Sequence, residues 1–309
     1  MKSDLVDIRD AFLQEVYSIV KSDKGVIFIS DDMDALALRR LKEDFPNQYM
    51  NIGVAEQNMM DVAAGLATGG KKVFVFGICS YITMRSFEQI KFSICSMKLP
   101  IVIVGIGAGY SFSFDGPSHH GVNDIAIMRT LPEMVICNPC DSFSAAKSAW
   151  FSYKNDKATY VRLDKGSFPC IYSTQKDFEN GFKIINKLEE KNVISTGFMT
   201  KKLYELFKAS NSSKNDLGFV DVSRLKPIDK SFIKKVLMKS KSVLTIEENS
   251  LLGGLGTIVS EMISDNNLNI KLDRIALADE QLFTYGSREY LLSKNSLDEK
   301  SLKNILGLK

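Results

Sequence analysis

VFVFGICSYITMRSFEQIKFSICSMKLPIVIVGI, residues 73–106, places two short apolar runs on either side of a longer segment with apolar side chains at helical spacing. The runs are Val73–Ile78 and Ile101–Ile106. Unbroken apolar runs of this length are typical of strands that are buried on both faces of a parallel sheet. The segment between them, Tyr81–Met97, has the length of a crossover helix. The stretch therefore predicts a βαβ unit and an α/β fold.

The same alternation extends outward on both sides of this stretch. Upstream, an amphipathic helix leads to the apolar run Gly25–Ser30, and downstream further strands are predicted at Met134–Asn138 and Thr159–Leu163. Asp141 stands where it can cap the helix between those last two strands. These elements predict a first doubly wound domain, residues 1–170, with a mainly parallel sheet and helices on both faces.

A second series of strands and helices follows a polar stretch in which the pattern weakens. We predict that residues 171–190 form a linker and that residues 191–309 form a second α/β domain. The strands predicted there are Val193–Thr196, Leu217–Val222, Ser242–Glu248 and Ile270–Leu277. The expected fold is therefore α/β with two doubly wound domains, each with a mainly parallel sheet.

Composition excludes several classes of protein. The 309 residues are 45% hydrophobic and 25% charged, which is the mixture of a globular protein. The net charge of +3 is too small to predict binding to nucleic acid or to a membrane surface. No stretch approaches the ~20 apolar residues of a membrane span, and the amino terminus has no signal-peptide pattern. We therefore expect a cytoplasmic protein without nucleic-acid or membrane partners.

The five cysteines do not predict a disulfide framework or a metal site. Their number is odd and they lie in apolar segments, which indicates reduced core residues. Cys137 and Cys140 form a CxxC pair, but a structural zinc site needs a second pair of ligands. We therefore predict no metal ligands in this chain.

One connection is much longer than the others. The loop 107–121, directly after the run Ile101–Ile106, has about 15 residues, whereas a βα connection commonly takes about 2–6. It contains Asp115 and the only two histidines of the chain, His119 and His120. Because ligands of open parallel sheets bind beyond the carboxyl ends of the strands, this loop predicts a functional site. Its glycines are spaced GxGxG with no helix directly behind them, which argues against a dinucleotide site.

Several motifs carry a resemblance to a known family. The first half contains YMNIGVAEQNMMDVAAGLATGG at 49–70 and DGPSHHGVND at 115–124, and the second half contains VLTIEENSLLGGLGT at 243–257 and YGSREYLL at 285–292. The chain resembles the transketolase family of thiamine diphosphate enzymes, with a pyrimidine-binding domain followed by a carboxy-terminal domain. GVAEQ and DGPSH together are more specific than either motif alone.

The resemblance implies a site for thiamine diphosphate. Glu56 matches the family glutamate that hydrogen-bonds the aminopyrimidine ring nitrogen and favours the tautomer that deprotonates the thiazolium carbon. Tyr81 stands where the family has an aromatic side chain, usually Phe, against the pyrimidine ring. Asp31 matches a loop aspartate near the cofactor, and Arg85 is assigned to the same cofactor site.

The resemblance also implies residues that bind the substrate. His119 and Asp115 match the histidine and aspartate of the family's DGPTH motif, which contact the hydroxyls of a ketose donor. A catalytic role is implied for His119, because an imidazole can accept and return a hydroxyl proton as a carbon bond breaks. His120 is assigned to the substrate site as its neighbour. Arg162 matches an arginine that holds a substrate phosphate, and Arg9 matches an amino-terminal arginine.

Two departures from the family pattern leave the substrate open. Gly107 stands where the family has a second histidine that contacts substrate, and SDDMDAL at 30–36 does not show the family's phosphate-binding serine. A sugar phosphate is therefore one possible substrate, and a sugar with a different substituent is another.

A missing motif bears on the partner. The family holds magnesium and the diphosphate through a GDG motif in an amino-terminal domain, and no GDG occurs in this sequence. The resemblance therefore implies the carboxy-terminal subunit of a split enzyme, whose amino-terminal partner subunit holds most of the Mg²⁺ and diphosphate contacts. By analogy we expect an α2β2 heterotetramer that binds the cofactor weakly without its partner.

Three functions follow from the resemblance. The leading hypothesis is a transketolase that moves a two-carbon ketol unit from a ketose to an aldose. A deoxyxylulose-phosphate-synthase-like or other decarboxylating enzyme is an alternative, because AEQ at 55–57 resembles that branch, while DGPSH and SFEQI are closer to transketolase. The third is a non-catalytic partner subunit, which the presence of Glu56, Asp115 and His119 argues against.

Overall fold

The computed structural model describes residues 6–33, 35–210 and 216–308. They contain the strands β1 (Val26–Ser30), β2 (Tyr49–Asn51), β3 (Lys72–Ile78), β4 (Val102–Ile106), β5 (Val135–Cys137), β6 (Thr159–Leu163), β7 (Lys183–Asn186), β8 (Lys191–Ser195), β9 (Leu217–Asp221), β10 (Arg224–Lys226), β11 (Ser242–Ser250) and β12 (Lys271–Leu277). Strands and helices alternate along most of the chain, which confirms the predicted α/β class.

The helices are α1 (Ile8–Ser22), α2 (Leu36–Asp44), α3 (Glu56–Thr68), α4 (Phe87–Gln89), α5 (Asp124–Arg129), α6 (Ser142–Lys154), α7 (Gln175–Asn180), α8 (Phe198–Ala209), α9 (Lys230–Lys239), α10 (Leu255–Asp265), α11 (Arg288–Ser293) and α12 (Glu299–Leu306). A 3₁₀ turn lies at Pro46–Gln48 and π-helical turns lie at Tyr81–Arg85 and Ile90–Cys95. In the part of the chain that the structure describes, no helix is both long and apolar enough to cross a membrane.

The first sheet has seven strands in the order β10-β5-β6-β4-β3-β1-β2. Its neighbours are parallel except for β10, which pairs antiparallel with β5. Every residue of β1, β4 and β6 is buried, as expected for strands covered on both faces. In β3, Val73 and Val75 pack into the core on the α3 side, whereas Phe74 and Phe76 pack on the α1 and α6 side. The six-residue apolar run thus supplies both cores.

The segment predicted as one helix from Tyr81 to Met97 is interrupted. Two π-helical turns flank the short α4, so the side chains do not keep the 3.6-residue period over the whole segment. Such π-helical turns are frequent at functional sites. Here the first turn, Tyr81–Arg85, lies at the carboxyl end of β3 and places two predicted site residues four positions apart.

The second sheet has the order β12-β11-β8-β9-β7 and is parallel except for β7, which pairs antiparallel with β9. The stretch 171–190, predicted as a linker, contains both α7 and β7. Its sequence carries a weak signal because β7 is a short edge strand with only partly buried residues. Strand β10 also crosses the expected division, because it follows β9 in the chain but joins the first sheet.

Asp141 ties this stretch to the first sheet. As predicted, it caps α6, and its Oδ1 accepts the Ser144 N–H at 2.7 Å in a capping box. Its Oδ2 accepts the N–H groups of Ile171 and Tyr172. The side chain is fully buried, so one carboxylate fixes both a helix start and the chain that leaves the first domain.

Candidate active site

The predicted site residues collect at the carboxyl edge of the first sheet. Asp31 follows β1 directly, Glu56 is the first residue of α3 after β2, and Tyr81 begins the π-helical turn after β3. The loop 107–121 follows β4 at the same edge. Parallel strands bring these connections together because their carboxyl ends all lie at one edge of the sheet.

Glu56 is held by Arg85. Both carboxylate oxygens of Glu56 lie 2.8 Å from Nη1 of Arg85. Glu56 is 1% exposed and the Arg85 side chain is 44% exposed, so the carboxylate is the inner member of the pair and the guanidinium reaches solvent. The position in the first turn of α3 also favours a negative charge, because the backbone N–H groups at a helix start carry partial positive charge.

Tyr81 joins this pair to the histidine of the loop. The guanidinium of Arg85 lies 4.3 Å from the centroid of the Tyr81 ring. The Tyr81 hydroxyl lies 3.3 Å from the ring nitrogens of His119, and the two rings meet edge to face with centroids 5.1 Å apart. Glu56, Arg85, Tyr81 and His119 therefore form one continuous series of contacts, which brings these four predicted site residues together.

His119 is only partly buried, so its ring remains accessible at the rim. Ser118 Oγ lies 3.0 Å from Nδ1 of His119, and the Phe112 ring lies edge-on at 6.2 Å. These contacts fix the plane of the imidazole between two aromatic rings. A partly exposed imidazole fixed in this way is suited to accepting and returning a proton.

The loop 107–121 is closed at its base. Gly109 and Gly121 exchange two backbone hydrogen bonds, at 2.8 and 3.0 Å. The Ser80 hydroxyl donates to the carbonyl of Ser118 at 2.6 Å, which fixes the histidine-bearing part of the loop against the segment that carries Tyr81. Asp115 is exposed in the same loop. A long connection closed and held in this way can present side chains at defined positions.

Asp31 is a second buried carboxyl group in the site. It is 6% exposed, and its Oδ1 has no hydrogen-bond partner. A Cβ at Gly77 on the neighbouring strand β3 would overlap the Asp31 carboxyl group, so glycine there makes the room for it. Burial, and next to it the charge of Glu56, raise the pKa of Asp31 to about 7.

The side chain of His120 has different surroundings from that of its neighbour His119. It is 3% exposed, its ring meets Tyr110 edge to face at 4.9 Å, and its Nε2 has no partner. Burial lowers the pKa of His120, which favours the neutral ring. Adjacent side chains of the loop thus point to different surroundings, and the structure does not support the predicted contact of His120 with substrate.

The predicted phosphate contact of Arg162 is not available either. Arg162 is 2% exposed, and its Nε donates to Asp124 Oδ2 at 2.8 Å. Its Nη2 donates to the carbonyls of Gly121 and Glu248. The side chain points into the interior because β6 is buried along its whole length, so Arg162 supports the base of the loop and does not face a substrate.

Two cations lie near the end of β6. Arg9 pairs with its neighbour Asp10, and the first turn of α1 contacts the chain after β6 through a hydrogen bond from Ile8 N to the Gly166 carbonyl at 2.9 Å. The predicted substrate contact of Arg9 stays a prediction. Lys165, which sequence reasoning missed, is exposed and its Nζ lies 5.8 Å from the centroid of the Phe112 ring.

A second residue missed from the sequence is Arg288, in the motif YGSREYLL. Its guanidinium donates to both oxygens of Asp164 at 2.8 and 2.6 Å and to both oxygens of Glu248. Glu248 Oε1 also accepts the N–H of Tyr110, in the loop 107–121, at 3.0 Å. The Arg288 guanidinium stacks on Phe198 at 3.4 Å. This cluster fixes the second domain to the base of the loop.

Models of two protein families match the chain. Residues 4–169 match the transketolase pyrimidine-binding domain, and residues 183–301 match the transketolase C-terminal domain. The chain belongs to the transketolase family. The first match covers more than half of the chain and contains Glu56, Tyr81 and the loop with His119, so the residues of the site lie in the part that defines the pyrimidine-binding domain.

Relatives of this transketolase-family chain include proteins of two lengths. A subunit of the apulose-4-phosphate transketolase of Phocaeicola vulgatus is 28% identical over 98% of this chain and 97% of its own. The 1-deoxy-D-xylulose-5-phosphate synthase of Clostridium tetani is 30% identical over 99% of this chain but only 50% of its own length. A solved split-gene transketolase, an inactive β4 tetramer, superposes with a TM-score of 0.86 at 28% identity, over 98% of this chain and 97% of that one.

The residues of this transketolase site fit the aminopyrimidine half of thiamine diphosphate, the cofactor that the family implies. A buried carboxylate at Glu56 suits a ring nitrogen, the Tyr81 face suits a flat ring, and the unpartnered Oδ1 of Asp31 leaves a polar group without its hydrogen bond. The described residues contain no group of three side chains that could hold a metal ion.

Proposed function

We propose that this chain is the carboxy-terminal subunit of a two-component, thiamine diphosphate-dependent transketolase of carbohydrate metabolism. It transfers a two-carbon ketol unit from a ketose donor to an aldose acceptor. One observation carries the proposal: the buried Glu56 carboxylate and the accessible His119 imidazole are joined through Arg85 and Tyr81 at one edge of the sheet. A ketol transfer needs an acid for the cofactor ring and a proton carrier for the substrate.

Glu56, Tyr81 and Arg85 are the residues of this chain that would hold the aminopyrimidine. Glu56 would bond a ring nitrogen, and the planar Tyr81 and Arg85 groups would pack on the ring. When bound, the cofactor supplies the carbanion chemistry at its thiazolium carbon. Because Arg85 is the exposed member of its pair, a ring can reach Glu56 by a rotation of the arginine side chain without opening the core.

His119 and Asp115 would act on the sugar. The ring nitrogens of His119 face the Tyr81 hydroxyl and lie at the rim, where a substrate hydroxyl can approach. His119 would take the hydroxyl proton as the carbon bond breaks and return it to the acceptor. Asp115, exposed in the same loop, would accept a hydrogen bond from a neighbouring hydroxyl and fix the orientation of the sugar.

Lys165 would hold an anionic substituent of the substrate, in place of Arg162. It is exposed at the end of β6, and its ammonium group lies over Phe112, whose ring meets His119. An ammonium group attracts phosphate as a point charge. This arrangement supports a phosphorylated sugar or one with another anionic group.

The partner would be an amino-terminal subunit that holds the diphosphate and Mg²⁺, in an α2β2 heterotetramer in the cytoplasm. Two comparisons support a second chain. The Phocaeicola vulgatus relative is named as one subunit of its transketolase and aligns along 97% of its length, and the similar split-gene structure is a β4 tetramer described as inactive. Both relatives have the span of this chain.

Replacement of Glu56 tests the proposed function. In the complex with the amino-terminal subunit, we expect Glu56→Gln to lower the rate of ketol transfer from a ketose to an aldose by about 10²–10⁴-fold, because proton transfer at a positioned acid contributes about that much. Assembly with the partner, measured by sedimentation, should not change. Glu88→Gln, at an exposed position on α4, is the matched control. Full turnover in Glu56→Gln would indicate a non-catalytic subunit.

A decarboxylating synthase is the second candidate, because a 1-deoxy-D-xylulose-5-phosphate synthase is 30% identical over 99% of this chain. The two reactions are separable in one assay. Release of carbon dioxide from pyruvate by the complex would support the synthase, and transfer of glycolaldehyde from a ketose would support the transketolase. The Phocaeicola vulgatus relative, which aligns over 98% of this chain and 97% of its own, bears a transketolase name, and this favours the transketolase.

A further inference from the structure

A cavity of about 310 Å³ lies between the two domains, and we call it the interdomain pocket. Residues of the loop 107–121 and of the first π-helical turn line it on the side of the first domain. Residues at the carboxyl ends of β11 and β12 line it on the side of the second domain. A cavity of this size, at a domain boundary, can hold a small organic molecule.

Hydrogen bonds hold the walls of the interdomain pocket in place. The N–H of Ser250, at the end of β11, donates to the carbonyl of Val122 at 2.7 Å and so joins the two domains. The N–H of Ala278, directly after β12, donates to Oδ1 of Asn295 at 2.7 Å. All three donors and acceptors that fix the walls are thus paired within the chain, and the pocket is a formed part of the fold.

His120 brings an unused hydrogen-bonding atom to this wall. It is one of the residues that line the pocket, its side chain is 3% exposed, and its ring meets Tyr110 edge to face at 4.9 Å. Its Nε2 has no hydrogen-bond partner among the described residues. A buried nitrogen without a partner costs stability, and a ligand atom that completes the bond would remove this cost.

The charged residues of the lining all have one sign. Asp279 and Glu280 follow β12 and are exposed, and the described residues that line the pocket include no lysine or arginine. Burial, and after it the charges of Glu248 and Glu280, raise the pKa of Tyr110 to about 12, so the Glu280 carboxylate acts on the aromatic wall of the pocket. Such walls attract a cation and repel an anion such as a sugar phosphate.

We propose that the interdomain pocket is a binding site for a small organic cation with an apolar body. Asp279 and Glu280 would attract its ammonium group, and an N–H of that group would donate to the imidazole of His120. The body would pack against the apolar part of the lining, which includes Met84, Tyr110, Pro117, Val122, Leu277 and Leu282. This combination of apolar walls and a few polar groups is typical of small-molecule sites. The inference goes beyond the proposed function and does not depend on it.

The two histidines of the chain provide the measurement. The isolated full chain is titrated at pH 7 with benzylammonium, and separately with benzyl alcohol and benzoate, which keep the ring but are neutral and negatively charged. The imidazole signals are followed by nuclear magnetic resonance, and His120→Gln assigns them. Benzylammonium should shift the His120 signals saturably and the His119 signals less. Benzyl alcohol should bind at least about threefold more weakly, and benzoate should not bind, because both lack the positive charge.

Replacement of both acids tests the role of the charge. Asp279→Asn combined with Glu280→Gln should weaken the binding of benzylammonium about three- to tenfold and leave that of benzyl alcohol unchanged. Asp61→Asn combined with Glu88→Gln changes the net charge equally, at exposed positions on α3 and α4, and should have no effect.

Replacement of His120 tests the unpartnered nitrogen. His120→Phe keeps a ring in the wall and removes the nitrogen, so it should also weaken benzylammonium, as followed by the signals of the probe itself. Equal binding of the three probes, a shift confined to His119, or the absence of a saturable shift would overturn the inference. None of these results bears on ketol transfer, because the titrations use neither cofactor nor sugar.

Discussion

Two clusters at the carboxyl edge of the first sheet have the same composition, one arginine and two acids, but different contacts. Arg288 donates to all four oxygens of Asp164 and Glu248, and its side chain is 16% exposed. Arg85 donates to Glu56 and is 44% exposed, while the second acid of its cluster, Asp31, keeps an unpartnered oxygen.

The difference separates a structural cluster, which we call the joint (Arg288, Asp164 and Glu248), from a candidate binding site, which we call the open cluster (Arg85, Glu56 and Asp31). The Arg288 cluster uses every charge to join the second domain to the base of the loop 107–121, so nothing in it is left to bind a ligand. The Arg85 cluster leaves one oxygen of Asp31 without a partner, and its cation is partly exposed to solvent. Unsatisfied buried polar groups of this kind are retained where chemistry needs them.

The largest effect is expected from breaking the joint. Arg288→Met should lower the free energy of unfolding by about 3–5 kcal/mol, because Asp164 and Glu248 would stay buried without their cation. Denaturation by urea, followed by circular dichroism, measures the loss. Because the cluster also holds the Tyr110 N–H, the rate of ketol transfer should fall as well.

Lys303→Met provides the control for this substitution. Lys303 forms an i,i+4 pair with Glu299 on α12, and both side chains reach solvent. Such surface pairs contribute about 0.3–0.5 kcal/mol. An equal loss in Lys303→Met and Arg288→Met would show that the Arg288 cluster does not join the domains in the way its contacts indicate.

A substitution in the open cluster is expected to raise the free energy of unfolding rather than lower it. The pKa of Asp31 is about 7 in the folded chain and its ordinary value is 3.8, so ionisation of the unfolded chain makes folding less favourable as pH rises from about 4 to 7. Asp31→Asn removes this penalty. It should therefore stabilise the chain by about 2 kcal/mol at pH 8, after the cost of burying the amide, and have little stabilising effect at pH 4.

Urea denaturation of wild type and variant between pH 4 and pH 8 measures this difference. Asp221 and Glu247, whose pKa values burial also raises to about 7, are present in both proteins and cancel in the comparison. Asp61→Asn, which replaces an exposed acid on α3, should show no pH-dependent gain in the free energy of unfolding. A destabilised Asp31→Asn at pH 8 would mean that Asp31 is a structural acid like those around Arg288.

The residues of the open cluster could be predicted from the sequence, whereas those of the joint could not. Glu56, Tyr81 and His119 lie in local motifs, and the βαβ pattern brings the motifs to one edge, so both fold class and the core of the site follow from short-range signals. Arg288 and Asp164 are 124 positions apart, and no local pattern links them. Such a contact depends on how the two domains pack, which hydrophobic periodicity does not report.

Two residues predicted to contact substrate, Arg162 and His120, are buried in the structure, and the sequence contains a signal for this burial. Arg162 lies in TYVRL, a strand buried at every position, where an arginine must pair internally, as it does with Asp124. His120 is adjacent to His119 and, in an irregular loop, neighbouring side chains commonly face opposite ways. The edge strand β7 could not be predicted for a different reason. Its half-exposed residues have no clear alternation of apolar and polar side chains.

The smallest effect is expected at Lys165, a cation that belongs to neither cluster. Its N–H donates to Asp164 Oδ1 at 2.7 Å, so the backbone is tied to the Arg288 joint while its side chain lies over Phe112 on the open side. Lys165→Met should raise KM for a phosphorylated sugar about tenfold, a loss of about 1.4 kcal/mol, with little change in kcat. KM for the same sugar without phosphate should not change, and Lys21→Met on α1 should affect neither. A loss of kcat with both sugars would place Lys165 with the structural joint, and equal KM values would remove it from the substrate site.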